Sequence, residues 1–384
     1  MSAVFDQPTP WQRLRPMLGG FDGVLSGVAA LLAVAGLITM YSAGFDHGTR
    51  FVDHARNMGL AFVIMFMVAQ IPPQKLMGLA VPLYAVGVAL LVATALFGIT
   101  KKGATRWLNV GLVIQPSEIL KIAMPMMLAW WFQKREGRLR APDFVVAALL
   151  LLLPVALVVK QPDLGTSILI LSAGLYVIFF AGLPWKLIVP VMVAVLAGLV
   201  TLVVTQDRIC EADVNWPMLR EYQKHRVCTL LDPTTDPLGK GFHIIQGMIA
   251  IGSGGVSGKG FMNGTQTHLE FIPERTTDFI FAAFAEEFGL LGAAGLLLGF
   301  VFLILRGLMI AAEAPTVFTR LLAGAVTLSF FTYAFVNMGM VSGVLPVVGI
   351  PLPFISYGGT AMVSLGLGLG LLMSIARSRT LMQS

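Results

Sequence analysis

The chain has 384 residues, of which 57% are hydrophobic and only 12% are charged, and its mean hydropathy is +0.83. A soluble protein of this length could not bury so much apolar surface, and the apolar runs are continuous rather than alternating, which excludes a transmembrane β-barrel. The net charge of +6 is better explained by basic cytoplasmic loops than by nucleic-acid binding, so we expect no nucleic-acid partner.

Ten segments of about 20 apolar residues follow one another along the chain, and this length allows an α-helix to cross the hydrocarbon core of a bilayer. We therefore predict an all-α polytopic membrane protein that forms a single domain over residues 1–384. One large extracytoplasmic loop, at about 206–277, separates the seventh and eighth spans. The predicted spans are 22–44, 55–71, 76–99, 115–133, 142–159, 163–181, 185–205, 278–305, 318–345 and 353–376.

Lys and Arg are more frequent in one alternating set of predicted loops than in the other, and cytoplasmic loops carry the excess of these residues. This bias predicts that both termini are cytoplasmic and that the loop at 206–277 lies outside. The richer set contains Arg13, Arg15, Lys75, Lys134, Arg135, Arg138, Arg140, Lys186, Arg306, Arg320, Arg377 and Arg379, and the poorer set contains Arg50, Arg56, Lys101, Lys102, Arg106 and Lys160.

A basic cluster on the outer side, formed by Lys101, Lys102 and Arg106, is an exception to this bias. It is either an ordinary solvated loop or a binding site for an anionic group such as a phosphate. Trp107 directly follows it.

The outer loop holds both cysteines, Cys210 and Cys228. An oxidising exterior permits a disulfide bond between them, which would stabilise the fold by ~3 kcal/mol, although two free thiols are the alternative. The glycine-rich run at 252–260 lacks the residue order of a nucleotide-binding loop, so we interpret it as tight backbone packing or as the rim of a substrate site.

Four polar patches lie at predicted outer helix ends. The first includes Glu118 and Lys121, which are i, i+3 neighbours that can pair within the membrane. The second contains Asp163, in the first turn of a helix, where the helix dipole favours an acid. Each patch could also be purely structural. Glu118 and Lys121 could be a neutralised pair, and Asp163 could be a charge that stabilises the helix end. Their occurrence on one membrane face favours a single cavity for an anionic amphiphile.

The third patch contains Asp278, within the run FIPERTTDFIFAAFAEE at 271–287 where the polar loop meets an apolar helix. An acid at a membrane boundary is costly to keep and is a functional candidate by default. The fourth patch, at 346–359, is rich in Pro and Gly and breaks the helix at membrane depth. Such backbone is tolerated inside protein or along a wet cavity, although the segment could also be a simple loop.

These four patches together resemble the SEDS family (shape, elongation, division and sporulation proteins). The run NMGMVSGVLPVVGIPLPFISYGG at 337–359 is more similar to the rod-shape members than to the division members. The resemblance implies a ten-span peptidoglycan glycosyltransferase that polymerises lipid II during cell elongation, on the outer face of the bacterial cytoplasmic (inner) membrane. It also implies a class B penicillin-binding protein and other elongation-complex membrane proteins as partners.

Residue by residue, the resemblance places the essential loop aspartate of the family at Asp278. The conserved membrane Lys and Asp fall on Lys121 and Asp163, and the Glu of the QPSE motif falls on Glu118. One position departs from the family pattern, because Thr276 stands where a His commonly precedes the Thr-Asp pair.

The chemistry expected of such an enzyme assigns roles to these residues. Asp278 is the expected general base, removing the proton of the acceptor hydroxyl in an inverting transfer. Lys121 and the basic cluster are expected to offset the charge of the leaving diphosphate, and a divalent cation (Mg²⁺ or Mn²⁺) could do the same, although the sequence contains no clear metal motif. Further expected substrate-binding residues are Trp107, Arg275, Ser356 and Tyr357. The alternative function is a lipid II flippase, which also has buried charges and broken helices.

Overall fold

The computed structural model describes residues 21–101, 104–109, 111, 113–210, 214, 221–236 and 239–383. Lys102 of the basic cluster, and Arg13 and Arg15 of the N-terminal segment, lie outside the described residues. Side chains are described for most of these ranges, but not for Lys101.

The described ranges contain mainly helices. These are α1 (Gly23–Ala43), α2 (Arg50–Ala69), α3 (Pro73–Phe97), α4 (Pro116–Lys134), α5 (Ala141–Lys160), α6 (Leu164–Phe180), α7 (Trp185–Val204), α8 (Gln206–Ile209), α9 (Glu221–Leu231), α10 (Lys240–Gly254), α11 (Thr265–His268), α12 (Ile280–Ala312), α13 (Val317–Val341) and α14 (Gly359–Gln383).

Eight of the described helices are long and apolar enough to cross a membrane, namely α1, α2, α3, α5, α7, α12, α13 and α14. The two other predicted spans correspond to α4, which carries Glu118 and Lys121, and to α6, which has 17 residues. The prediction of a polytopic helical membrane protein is confirmed.

The structure corrects several predicted span boundaries. Helix α2 begins at Arg50 rather than at 55, because its first turn carries the charged residues Arg50 and Asp53, which hydropathy does not assign to a span. Helix α12 continues to Ala312 rather than ending at 305. Between α13 and α14, residues 342–358 form no helix, because the prolines of this segment remove backbone donors and disfavour helix before them.

A small antiparallel sheet, in the order β1-β2-β3, adds strands to the predicted all-helical fold. Its strands are β1 (Ile99–Lys101), β2 (Ala104–Asn109) and β3 (Val113–Ile114). Ile99 pairs with Trp107, and Asn109 pairs with Val113. The sheet therefore leads the chain from the end of α3, through Arg106 in β2, to the start of α4.

Helices α13 and α14 form the centre of the bundle, and both are mostly buried. Two glycines of α14 let it approach α2 closely, since an added Cβ at Gly366 would lie 2.4 Å from the Ala61 carbonyl oxygen and one at Gly370 would lie 2.9 Å from that of Met65. Helix α7 lies at the periphery, and none of its described residues is buried.

Candidate active site

Asp278 lies in the turn directly before α12 and is half-buried. Its backbone carbonyl accepts a hydrogen bond of 3.0 Å from Asn337 Nδ2 of α13, and the same amide group donates to the Ile350 carbonyl at 2.8 Å. One buried side chain therefore joins the Asp278 turn to the proline-rich segment 346–358. No role for Asn337 was predicted from the sequence.

The proline-rich segment 346–358 packs along the Asp278 turn. Ser356 Oγ donates to the Thr277 carbonyl at 2.7 Å, and the Tyr357 amide donates to the Thr276 carbonyl at 2.8 Å. The predicted site residues Ser356 and Tyr357 thus contact the backbone beside Asp278. These hydrogen bonds pair polar backbone groups of an irregular segment, and at membrane depth such groups must find their partners within the protein.

Gly349 of this segment lies against the Asp278 carboxylate. Its φ is +76°, and a Cβ added there would lie 3.4 Å from Asp278 Oδ2. A glycine supplies this left-handed conformation without strain and leaves the carboxylate facing bare backbone.

Arg50, the first residue of α2, is a cation beside this turn that sequence reasoning treated only as a loop charge. Its guanidinium hydrogen-bonds to Thr276 Oγ1 and lies 5.7 Å from the centre of the Tyr357 ring. The hydrogen bond joins residues 226 positions apart, so no local pattern could reveal it. Thr276, the position that departs from the family pattern, is thus the partner of Arg50.

Asp163 joins the first two polar patches. Its carboxylate caps α6 by accepting from the Thr166 amide at 3.2 Å and also accepts from Gln115 Nε2 at 2.9 Å. Arg106 Nη1 lies 3.7 Å from it, and Arg106 also donates to the Pro162 carbonyl at 3.3 Å. Arg106 of the basic cluster therefore provides a counter-charge to Asp163.

The start of α6 packs on the same backbone that Asp278 contacts. A Cβ at Gly165 would lie 2.8 Å from the Val348 carbonyl oxygen and 3.5 Å from that of Gly349. Asp163, two residues before Gly165, and Asp278 thus flank one stretch of the proline-rich segment. The structure brings the second, third and fourth polar patches together.

Lys121 is buried in α4 and pairs with Glu118, whose Oε1 lies 2.6 Å from Lys121 Nζ. The second oxygen of Glu118 accepts from Ser364 Oγ of α14 at 2.9 Å, and Lys121 Nζ lies 5.5 Å from the centre of the Tyr333 ring. The structure thus contains the i, i+3 pair of Glu118 with Lys121 that the spacing allows.

Arg275 points toward the α1–α2 loop. It donates to the Ala43 carbonyl at 3.0 Å, and its Nη2 lies 2.5 Å from Asp46 Oδ2. Burial would raise the pKa of the Asp46 carboxyl, but hydrogen bonds from Arg275 and His47 hold that pKa below its usual range. These contacts make Arg275 an anchor of the turn that leads to Asp278.

The loop between α7 and α12 contains a disulfide bond between Cys210 and Cys228, so of the two alternatives for these cysteines the structure has the bonded one. Trp107 is half-buried in β2.

The glycine-rich run after α10 fills a break in α12, a span for which the sequence predicted no interruption. The helix is interrupted at Gly289, where φ is +64°. The amides of Lys259 and Gly260 donate to the carbonyls of Glu286 and Glu287, both at 3.0 Å. The amides of Leu290 and Leu291, which would bond those carbonyls in a continuous helix, donate instead to Gly255 and Val256. Of the two interpretations of this run, the structure shows backbone packing.

The Glu286 carboxylate holds the rest of this loop in place. It is fully buried and accepts from Lys259 Nζ at 2.7 Å and from the amides of Gln266 and Thr267 at 2.8 and 3.0 Å. This contact fixes the loop that leads to the Asp278 turn. Glu286 lies in the run at 271–287, but the sequence predicts no role for it.

The site thus contains a half-buried aspartate in a turn that Arg50 contacts through Thr276, and a second aspartate, Asp163, beside Arg106. Among the described residues, no group of three or more His, Cys, Asp or Glu is placed to hold a metal ion. The class of protein is therefore a polytopic membrane protein with a charged site at one membrane face.

Comparison with known proteins identifies the family. The FtsW/RodA/SpoVE model, described as a cell cycle protein, matches residues 23–381. The chain belongs to this family.

Relatives and solved structures agree with this assignment. The peptidoglycan glycosyltransferase MrdB of Escherichia coli K12 is 48% identical over 358 residues, covering 92% of both chains. The peptidoglycan glycosyltransferase RodA of Treponema pallidum is 30% identical, covering 92% of this chain and 97% of the relative. One solved structure concerns the structural coordination of polymerization and crosslinking by a peptidoglycan synthase complex. A chain of that structure matches this chain with a TM-score of 0.76 and 33% identity, covering 94% of this chain and 98% of that chain. The rod shape determining protein RodA of Thermus thermophilus matches with a TM-score of 0.68 at 28% identity, covering 94% and 97%.

Proposed function

We propose that this protein is a peptidoglycan glycosyltransferase of the RodA type, which polymerises lipid II into glycan strands during cell elongation. The observation that carries the proposal is the Asp278 carboxylate, held against Gly349 in a turn that Asn337, Ser356 and Arg50 fix in place. The names of the relatives support the same activity.

In the proposed mechanism, Asp278 accepts the proton of an acceptor sugar hydroxyl as its oxygen attacks the anomeric carbon of the donor. The new glycosidic bond forms as the bond from that carbon to the diphosphate breaks, and the lipid diphosphate leaves with the electron pair. Inversion follows from attack on the face opposite the leaving group. Base catalysis of this kind is worth roughly 10²–10⁴-fold in rate.

Cations at the site would offset the charge of the departing diphosphate. Arg50 joins the candidates from the sequence, namely Lys121, Arg106, Lys101 and Lys102, because it lies beside the Asp278 turn. Trp107, Glu118, Asp163, Ser356 and Tyr357 remain proposed substrate-site residues. For Arg275 we propose a positioning role, since its contacts are with the α1–α2 loop.

A class B penicillin-binding protein is the proposed partner, together with other elongation-complex membrane proteins. The matched synthase complex supports a crosslinking partner, and the exposed apolar side chains of α12, such as Leu297, Leu298 and Phe302, offer a membrane surface for it. We further propose that the chain is a single domain of the inner membrane. The Lys and Arg bias of the loops supports the orientation with both termini cytoplasmic.

The test is polymerisation of lipid II by purified protein, with and without its class B partner, followed by gel analysis of the products. We expect Asp278→Asn to abolish glycan ladders while keeping the wild-type melting temperature and partner binding. Asp53→Asn is the matched control, because Asp53 is a partly exposed acid in the first turn of α2 that pairs with Arg56.

Ladders from Asp278→Asn would remove this residue as the base. No ladders from wild-type protein with its partner present, combined with lipid II movement across liposomes, would instead support the flippase.

A further inference from the structure

The backbone of Phe354 adopts a conformation that its own side chain disfavours. Its φ is +64°, in the left-handed region that a bulky residue rarely occupies. Phe354 is buried in the proline-rich segment, after Gly349 and before Ser356. Strained backbone of this kind persists only where the surrounding structure enforces it, and it is concentrated at functional sites. The neighbours of Phe354 therefore identify what holds it in this conformation.

A tight turn places Phe354 at its tip, and we call residues 352–356 the Phe354 turn. The amides of Ile355 and Ser356 donate to the Leu352 carbonyl at 3.2 and 3.0 Å, and Ser356 Oγ accepts from the Leu352 amide at 2.8 Å. Leu352 and Ile355 are buried as well. The turn is thus held by its own hydrogen bonds and by apolar packing.

Helices α1 and α13 hold the tip of the Phe354 turn. A Cβ added at Gly36 of α1 would lie 2.1 Å from the Phe354 carbonyl oxygen and 3.1 Å from Ile355 Cα, so only a glycine admits the turn there. The Phe354 ring stacks on that of Phe330 in α13, with centroids 6.1 Å apart. Gly36 lies about 10 Å of helix rise before the end of α1, so the turn reaches into the bundle.

We propose that Gly36 and Phe354 are positioning residues for the proposed polymerisation, an inference that rests on that function. They act through Ser356, at the end of the Phe354 turn, which donates to the Thr277 carbonyl directly before Asp278. Gly36 sets how deep the turn lies, and the turn sets the position of the backbone that carries the Asp278 carboxylate. A misplacement of about 1 Å, caused by a mutation far from the chemistry, can lower a rate about 100-fold.

The test is Gly36→Ala in purified full-length protein, assayed with lipid II well below the melting temperature of each variant. Because the added Cβ would meet backbone rather than a flexible side chain, the turn must shift. We expect kcat to fall about 100-fold with KM close to the wild-type value, since the displaced carboxylate acts in the transition state. A purely structural role would lower the melting temperature but leave the kcat of the folded protein unchanged.

Gly27→Ala is the matched control in the same helix, because nothing lies within 4 Å of an added Cβ there, and its kcat and KM should equal those of wild type. Phe354→Leu is a second variant, which keeps an apolar side chain but loses the ring contact with Phe330, and it should also lower kcat at unchanged KM. Wild-type kcat in either folded variant would overturn the positioning role, whether or not the other variant folds.

A failure of the positioning role is distinguishable from a failure of the proposed function. If wild-type protein with its partner forms no glycan ladders, the polymerase is wrong and the positioning role falls with it. If wild type forms ladders and Asp278→Asn does not, wild-type kcat for Gly36→Ala contradicts the positioning role alone.

Discussion

Variants of Lys121 and Glu118 can separate the effect of this ion pair on stability from its effect on polymerisation. We expect Lys121→Met to destabilise the protein, by up to about 3–5 kcal/mol, because Glu118, whose side chain is 14% exposed, would lose its counter-charge. The double variant Glu118→Gln, Lys121→Met should recover most of that stability but not polymerisation. Melting temperature and lipid II ladders measure the two properties separately.

Arg56→Met is the control for this comparison, because Arg56 forms an exposed i, i+3 pair with Asp53 and should change stability by at most about 1 kcal/mol. A Lys121→Met protein with the wild-type melting temperature would contradict the structural part. Full activity of the double variant would show that Lys121 is not needed for substrate.

The Asp46–Arg275 pair predicts a pH dependence of stability. The pKa of Asp46 is lowered in the folded protein, so its contribution is complete above the ordinary Asp value of about 3.9 and is lost as the pH falls below it. Asp46→Asn should lower the free energy of unfolding by about 1 kcal/mol at pH 7. Thermal unfolding of both proteins from pH 7 to pH 3 should show this difference shrinking below about pH 4, whereas a constant difference would argue against the ion pair.

At the scale of the element, the break in α12 depends on one glycine. Gly289 has φ +64° and ψ −164°, a region that only glycine occupies without strain, and an added Cβ would lie 2.3 Å from the Gly258 nitrogen. Gly289→Ala should therefore displace the glycine-rich run and destabilise the protein by at least about 1–3 kcal/mol, lowering both melting temperature and polymerisation.

Gly295→Ala is the matched control in the same helix, because nothing lies within 4 Å of an added Cβ there. It should leave stability unchanged or raise it by up to about 1 kcal/mol through better helix propensity. Equal melting temperatures for the two variants would show that the break tolerates a side chain.

Across the whole molecule, hydropathy located the spans because a bilayer requires long apolar helices whatever their neighbours are. Prolines explain why α14 begins later than predicted. The break at Gly289 could not be found in this way, since one glycine within a long helix does not predict an interruption and the replacement hydrogen bonds come from residues about 30 positions earlier. Likewise, Asp278 and Asp163 could be chosen as site residues because they are acids at predicted helix ends. The contact of Arg50 with Thr276 joins distant parts of the chain, so only the structure reveals it.

The contacts that fix the Asp278 turn also impose an order on biosynthesis. Asn337, Gly349, Ser356 and Tyr357 all follow Asp278 in the chain. A ribosome must therefore translate α13 and the proline-rich segment after it before the carboxylate is held in its final position. A nascent chain that has inserted only as far as α12 therefore holds its aspartate without these supports.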